Sequence, residues 1–402
     1  MSSHRKIIKA CLFTPTPYGW GLCIALVSGA GKAKTAILSE VIAECGMLGA
    51  ILSPGERGEG GFGCVPVPTE MEGYAALSYP SPDWAIPFFK EKRGVVVVDE
   101  LTTAPPALQP AMLGLTLDRR IGGNRLPRGV RTLAIYNPPE VAANGHDLPP
   151  PVANRMGHLQ WDPGSAEAHA DHLISTIGDL ECVADLTDAE RAERHQVLDP
   201  AAEEARVLRE WPSAAAIAAG AYSSFIAARP ALIDQEPAAH DPAGSGPWAS
   251  RRTWEFAVRA YAASMIHGLS ETERDDLICS FVGQGPGGEF ITFVTAQDLP
   301  NPKEVLDGEA EFSHDPTRLD RTNAVLDACT ALIVPTDAEK REKRTKAMWK
   351  VLDKIAQAGA KDVCFHPARR MAKAGLLGVA EARPVLAKLN KVMEAAGIKI
   401  SS

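Results

Sequence analysis

The chain is expected to fold as an α/β protein. A parallel-sheet core should fill roughly its first 160 residues, with helical segments making up the remainder. Three observations carry this expectation. The run Gly94-Val95-Val96-Val97-Val98 puts four β-branched residues in a row, which suits a strand covered on both faces in the middle of a parallel sheet. Residues Ile24 to Val27 read as a second buried strand. A glycine-containing turn follows it, and then Ile37, Leu38, Val41, Ile42 and Cys45 at spacings that cover one face of a helix. Strand-like and helix-like stretches alternate to about residue 160, the mark of crossover connections, and after Trp161 the strand signals fade.

From the N-terminus, the basic residues between Ser2 and Lys9 have no long apolar core behind them, which does not fit a secretion signal. The first strand leads into Ser28-Gly29-Ala30-Gly31-Lys32-Ala33-Lys34-Thr35-Ala36. Strand, glycine turn and helix are the setting of a phosphate loop. There, backbone N–H groups and the helix N-terminus cradle phosphates, a lysine reaches the β and γ oxygens, and a hydroxyl binds Mg²⁺. Two registers compete for the pattern G-x-x-x-x-G-K-[ST]. Taking Gly31-Lys32 as the G-K pair leaves Ala33 at the hydroxyl position and Leu26 at the first glycine. Taking Lys34-Thr35 as the K-T pair keeps lysine, hydroxyl and Gly31, with Ser28 and Ala33 replacing two glycines. The second register is preferred. Ala33 is expected in helical dihedrals at the start of the helix, where alanine is at ease. Ser28 is expected to matter only if its φ must be positive.

The segment Gly55 to Gly63 carries five glycines around Phe62 and reads as a flexible loop. The valine strand ends in Asp99-Glu100, two adjacent carboxylates at the end of a strand, where open α/β sheets collect ligands. An aspartate there can hold Mg²⁺ through water, and a glutamate beside it can orient or deprotonate an attacking water. The plainer reading is a core strand ending in a polar turn; the upstream loop favours the chemical one. Beyond it a helix should run to Asp118-Arg119-Arg120, Ile121 to Pro127 should form a hairpin tip, and Arg131 to Tyr136 a further strand. Asn137 closes that strand with an amide able to touch the water and the γ-phosphate, and Arg155 follows a short helix.

The rest reads as helical: Ala201 to Trp211, Ala214 to Ala228, Thr253 to His267 and most of 316–402. Residues 234–250 are expected as a linker, with a glycine-rich break at Gly283 to Gly288 and a loop from Leu299 to Asp307. Met348, Val351, Leu352 and Ile355 form an apolar stripe, and the basic run from Lys340 to Lys346 is its solvated side. His169 and His172 have zinc-like spacing without a third ligand, so a solvated helix face is expected. The domain expectation is a nucleotide-binding α/β core over 1–160, a helical lid over 161–315 and a helical extension over 316–402.

Composition bounds the function. Of 402 residues, 42 are basic and 50 acidic, a net charge of −8; this weighs against a general nucleic-acid or anionic-membrane binder. No stretch reaches the ~18 apolar residues of a membrane span. The eight cysteines are scattered without a C-x-x-C pair, which fits buried thiols in a reducing cytoplasm.

The ordered set resembles the MoxR branch of the AAA+ ATPases, compact bacterial ATP-binding proteins often encoded beside von Willebrand A-type partners. The resemblance rests on Leu26 to Ile37, Val97 to Pro106, Leu117 to Arg120, Asn137-Pro138 and Val152 to Leu159. In addition, Ser250-Arg251-Arg252-Thr253-Trp254-Glu255-Phe256 is similar to the stretch that opens part of the family's lid. It spans roughly residues 10–300; the 95–160 block is specific, while the phosphate loop departs from the pattern. The resemblance implies ATP as substrate and Mg²⁺ as its metal. Lys34 and Thr35 would hold phosphates and metal, Asp99 the metal shell, Glu100 the water, and Asn137 would be the first sensor. It implies Arg155 as the finger that reaches a neighbouring subunit's γ-phosphate, with Arg119 or Arg120 as substitutes, and Arg252 as the lid-borne sensor. It further implies a homo-oligomeric ring, usually a hexamer, that remodels or matures a protein client or a von Willebrand A-type partner. One rival is a nucleotide-binding assembly scaffold with weak or no hydrolysis, motivated by Ser28 and Ala33. Another is a DNA-handling ring, which the acidic charge disfavours.

Overall fold

The computed structural model describes residues 2–105, 108–138, 140–141, 146–177, 197–296, 300–333 and 338–395. Cys182 and Leu299 lie outside the described residues. Five strands form one parallel sheet: β1 (Ile24–Val27), β2 (Gly49–Leu52), β3 (Arg93–Val98), β4 (Gly129–Tyr136) and β5 (Gly157–Gln160), in the order β5-β1-β4-β3-β2. The register ties them into one frame. Val98 stands beside both Leu52 and Ala134, Ala134 beside Ala25, and Ala25 beside His158. Since every neighbour is parallel, all five C-termini meet a single edge, where the segments following β1, β3 and β4 gather.

The valine strand is what its composition demands. Val95, Val96, Val97 and Val98 are each 0% exposed, with β2 on one side and β4 on the other. Gly94, its second residue, has φ +151°, and a Cβ there would lie 2.5 Å from the Phe88 ring and 2.7 Å from the Leu48 carbonyl. Glycine alone lets the strand start so close beneath Phe88. The expected hairpin tip is present: Arg120–Ile121 pairs antiparallel with Asn124–Arg125 across Gly122-Gly123.

The helices that matter here are α1 (Ser2–Leu12), α2 (Lys34–Glu44), α3 (Ala166–Thr176), α4 (Pro200–Ala228), α5 (Arg251–Ile266), α6 (Glu271–Val282), α7 (Gln284–Thr295), α8 (Leu319–Ile333), α9 (Ala338–Gln357), α10 (Lys361–Lys373) and α11 (Ala382–Ala395). Capping explains two starts. Ser250 with Thr253, and Ser270 with Glu273, form reciprocal caps that satisfy orphan N–H groups of α5 and α6. The glycine-rich break expected at Gly283 to Gly288 is present but narrows to Gly283, which separates α6 from α7. Only Gly283 (φ +83°) leaves the helical path, and α7 runs straight through the later glycines. Likewise Pro302–Asp307 is a short helix inside the expected loop.

Two compact units result, Met1–Leu208 with Asp234–Gly287, and Arg209–Ile233 with Gly288–Ser402. Their limits do not coincide with the expected boundaries at 160 and 315, because α5 and α6 belong with the sheet and α4 contributes to both units. In the first unit the sheet core includes Val96, Val98, Phe88, Leu101 and Met156. In the second, α8 to α11 close around Trp349, Met348, Leu352, Leu326 and Cys329, so the apolar stripe on α9 faces inward as expected. Gly220 of α4 allows a close helix approach: a Cβ would lie 2.5 Å from the Ala324 carbonyl. Among the described residues no helix is long and apolar enough to cross a membrane. All the described cysteines are free and, Cys64 apart, buried.

One buried ion pair sits within the first unit. Arg131 of β4 is 0% exposed, and Glu204 of α4 is 7% exposed. Their charges meet at 2.6 Å. Arg131 also donates to the Leu12 carbonyl at 3.1 Å and to the Gly129 carbonyl, and its guanidinium lies over the Phe13 and Trp20 rings. Burial pulls its pKa below the ordinary arginine range, and Glu204 opposes that shift.

Candidate phosphate site

The turn after β1 is built around one lysine. Lys34 opens α2 and is 6% exposed. Its ammonium donates to the Ser28 carbonyl (2.8 Å), the Ser28 hydroxyl (3.0 Å), the Gly29 carbonyl (2.9 Å) and the Asn137 side-chain oxygen (2.8 Å). Desolvation lowers its pKa, with Asp99 acting in the opposite direction. In the register with Lys34-Thr35 as the K-T pair the lysine thus lies at the centre of the turn, while Lys32 is exposed. Thr35 donates to Asp99 at 2.9 Å, and the other Asp99 oxygen accepts the Glu100 N–H at 2.8 Å. Thr102 donates to the Asn137 carbonyl at 3.0 Å, which ties the end of β4 to the turn after β3.

These side chains line a cleft of about 370 Å³ running from Ala30 to Ala36 and closed by Asp99, Glu100, Ile135, Tyr136 and Asn137. Ten of the candidates named from the sequence meet here: Ala30, Gly31, Lys32, Ala33, Lys34, Thr35, Ala36, Asp99, Glu100 and Asn137. Ser28 and Gly29 stand just behind as acceptors of the lysine. Thr35 and Asp99 are hard oxygen donors that meet at the cleft, as a Mg²⁺ that shares its shell with phosphates and water requires. Among the described residues there is no cluster of three or more His, Cys, Asp or Glu able to hold a metal alone; His169 is exposed, and the side chain of His172 lies outside the described set.

The expectation for Ala33 is overturned. It sits at φ +57°, ψ 24°, in the left-handed region, as N-cap of α2. There Cβ crowds the following carbonyl and costs an alanine about 1 kcal/mol. Gly31 also has positive φ (+71°), whereas Ser28 does not. The departure expected to be mild is therefore the strained one, and Ser28 costs nothing in backbone. Ala33→Gly is expected to leave stability unchanged or raise it by up to ~1 kcal/mol, since relief of strain competes with added freedom in the unfolded chain. Ala33→Val should lose ~1–2 kcal/mol. Thermal melts of the pair test this, and a destabilised Ala33→Gly would contradict the left-handed assignment.

The arginines lie elsewhere. Arg155 is half-buried, donating to the Leu113 carbonyl at 2.6 Å and to Asp118 at 3.2 Å. Arg119 cannot substitute for it: it is 3% exposed and spends its guanidinium on the Tyr18, Trp20, Gly21 and Arg128 carbonyls. Arg120 is exposed. Arg252 stands exposed on the first turn of α5 and does not line the cleft. Phe62 is 1% exposed in the sheet core, so the glycine-rich segment does not present it to solvent.

Sequence reasoning missed a second cleft of about 340 Å³ beside the loop. One wall is Gly31 to Ala33 with Ala36, Ile37 and Glu40; the other runs from Trp161 through Pro163 and Ser165 to Leu173. Trp161 is 6% exposed and donates its indole N–H to the Lys32 carbonyl at 2.6 Å. Behind it His158, wholly buried, accepts from the Tyr136 hydroxyl at 2.6 Å and donates to the Ala153 carbonyl at 2.9 Å. Burial lowers its pKa to about 4, so it is neutral with the proton on Nε2. A tryptophan just past a strand was the available signal.

No family model matches the chain, and no curated protein matches it. Among solved structures, a protein of Cytophaga hutchinsonii provisionally named an ATPase is similar at 13% identity, with 69% of this chain and 79% of that chain covered and a TM-score of 0.41. The likeness is faint, and no residue role follows from it.

Proposed function

We propose that this chain is an ATPase of the MoxR-like AAA+ kind, binding Mg·ATP across the two clefts and hydrolysing it to remodel or mature a partner protein. The observation that carries this reading is the buried Lys34 ammonium held between the Ser28-Gly29 turn and Asn137, with Asp99 and Glu100 at the same sheet edge. Phosphates would replace its acceptors and lie against the N–H groups that open α2. Thr35 and Asp99 would hold Mg²⁺, which neutralises phosphate charge when bound. Glu100 would take the proton of the attacking water, and Asn137 would hold that water and the γ-phosphate in line. The neighbouring cleft would take the base, its apolar wall of Ala36, Ile37, Trp161 and Pro163 suiting a flat ring.

The reading extends to a ring in which Arg155 serves a neighbouring subunit, an arginine supplied in trans adding about 10³–10⁵ in rate. Its present bonds to Leu113 and Asp118 would have to open, and Arg252 would have to approach from α5. A heterologous contact that closes would make such a ring, with six as the family's count. A second reading, a nucleotide-binding scaffold with little hydrolysis, draws on the strained Ala33 and the tethered Arg155. Titration calorimetry with Mg·ATP tests the shared core of both. Saturable binding is expected, and Lys34→Ala should weaken it about 100-fold or more by removing a desolvated charge contact. Undiminished affinity in Lys34→Ala would remove the phosphate site from residues 28–36.

A further inference from the structure

We propose that α1 is a strap that sets the width of the second cleft, with His4 and Arg5 as positioning residues for the base of the bound nucleotide. The inference rests on the nucleotide reading and adds to it a helix that carries none of the motifs. Arg5 bridges two carboxylates on α2: one guanidinium nitrogen meets Glu40, which lines the cleft, and the other meets Glu44 one turn further on. Lys9 joins Glu44 at 2.9 Å. Burial works against the charge of Glu44, but Lys9 and Arg5 outweigh it and hold its carboxyl below the usual range. These pairs fasten α1 to the wall made by α2.

The adjacent residue fastens the other wall. His4 hydrogen-bonds through Nε2 with the Gln160 carbonyl at 3.0 Å, and its ring centre lies 4.9 Å from that of Trp161. Trp161 in turn holds the Lys32 carbonyl inside the phosphate loop. Two consecutive side chains of one helix therefore grip the opposite sides of a single cleft. The helix itself is a firm anchor, since Ile7, Ile8, Ala10, Cys11 and Leu12 are at most 1% exposed. Arg5 and its partners are partly exposed, where ion pairs add little to stability; their value here is in fixing a distance.

The test compares Mg·ATP with inorganic triphosphate, which fills the phosphate cleft but has no base. In the full-length protein, Arg5→Ala and His4→Ala are each expected to raise the Kd for ATP roughly tenfold, while the Kd for triphosphate stays within about twofold. Arg5→Lys should recover part of the loss, because a single ammonium keeps the charge but cannot fork onto two carboxylates. Equal weakening of both ligands would mean a general loosening of the loop and would overturn the strap, as would unchanged ATP affinity in both alanine variants. If the unaltered protein binds neither ligand, the nucleotide reading fails. If it binds triphosphate as tightly as ATP, the cleft takes no base and the strap alone fails.

Discussion

Glu100→Gln is expected to bind Mg·ATP within about threefold of the unaltered affinity and to release phosphate at least ~10²-fold more slowly, the usual share of a positioned base. The substitution changes almost nothing but the ability to accept a proton. The main chain at Glu100 is held in a left-handed turn (φ +54°, ψ 44°). Its N–H donates to Asp99 at 2.8 Å, and its carbonyl accepts the Thr103 hydroxyl at 2.8 Å. Neither bond involves the carboxylate, and the residue is exposed, so a glutamine of the same length fits without a fold penalty. Steady-state phosphate release, with Lys34→Ala as the blank, gives the answer. Undiminished release by Glu100→Gln would sink its assignment as base. If the unaltered protein releases no more phosphate than the blank, the scaffold reading takes over. Loss of binding together with turnover would mean that the residue shapes the site rather than reacting in it.

Glu204→Ala should cost the first unit about 3–5 kcal/mol, because it strands a buried guanidinium. Glu204 is the carboxylate that Arg131 faces, and Arg93 reaches the same group at 3.1 Å. Arg93 is partly exposed and can turn to water; Arg131 at 0% exposure cannot. Glu204→Gln, which keeps an acceptor at the same place, should lose less. In the double variant with Arg131→Met, part of the loss should return, since an apolar side chain needs no partner there. Urea denaturation followed through the first unit's transition measures all three. Equal stability of Glu204→Ala and the unaltered chain would show that water reaches Arg131 in the folded protein.

Much of this architecture was legible in the sequence, and for identifiable reasons. The valine run, Ile24 to Val27 and the stripe on α9 report burial directly through composition and period, so their elements and facing directions followed. The candidate phosphate loop stood out because strand, glycine turn and helix occur together there, and Asp99, Glu100 and Asn137 meet it in one cleft because they end strands that turned out to be parallel. What escaped was set by tertiary contact. β5 is four residues long and apolar only in part, and its pairing with β1 comes from register that no local pattern encodes. Ala33 adopts a dihedral its own side chain disfavours, imposed by the lysine and the helix on either side. Arg131 was read only as part of a strand and Arg119 as a substitute for Arg155, and only the packed fold reveals both as buried donors. Phe62 sat among glycines that suggested exposure, yet it fills the core beside Trp84.

The four bonds made by Lys34 have one more consequence. An ammonium carries three protons, and here they are shared among four oxygens, so the loop is folded around its own cation like a mould around its plug. On the proposed reading, a triphosphate would gain no vacant donor from this lysine; it would exchange one set of oxygens for another of higher charge. Recognition at that point would then discriminate by ionic charge more than by hydrogen-bond number, and a neutral or singly charged visitor would have little with which to displace the incumbents.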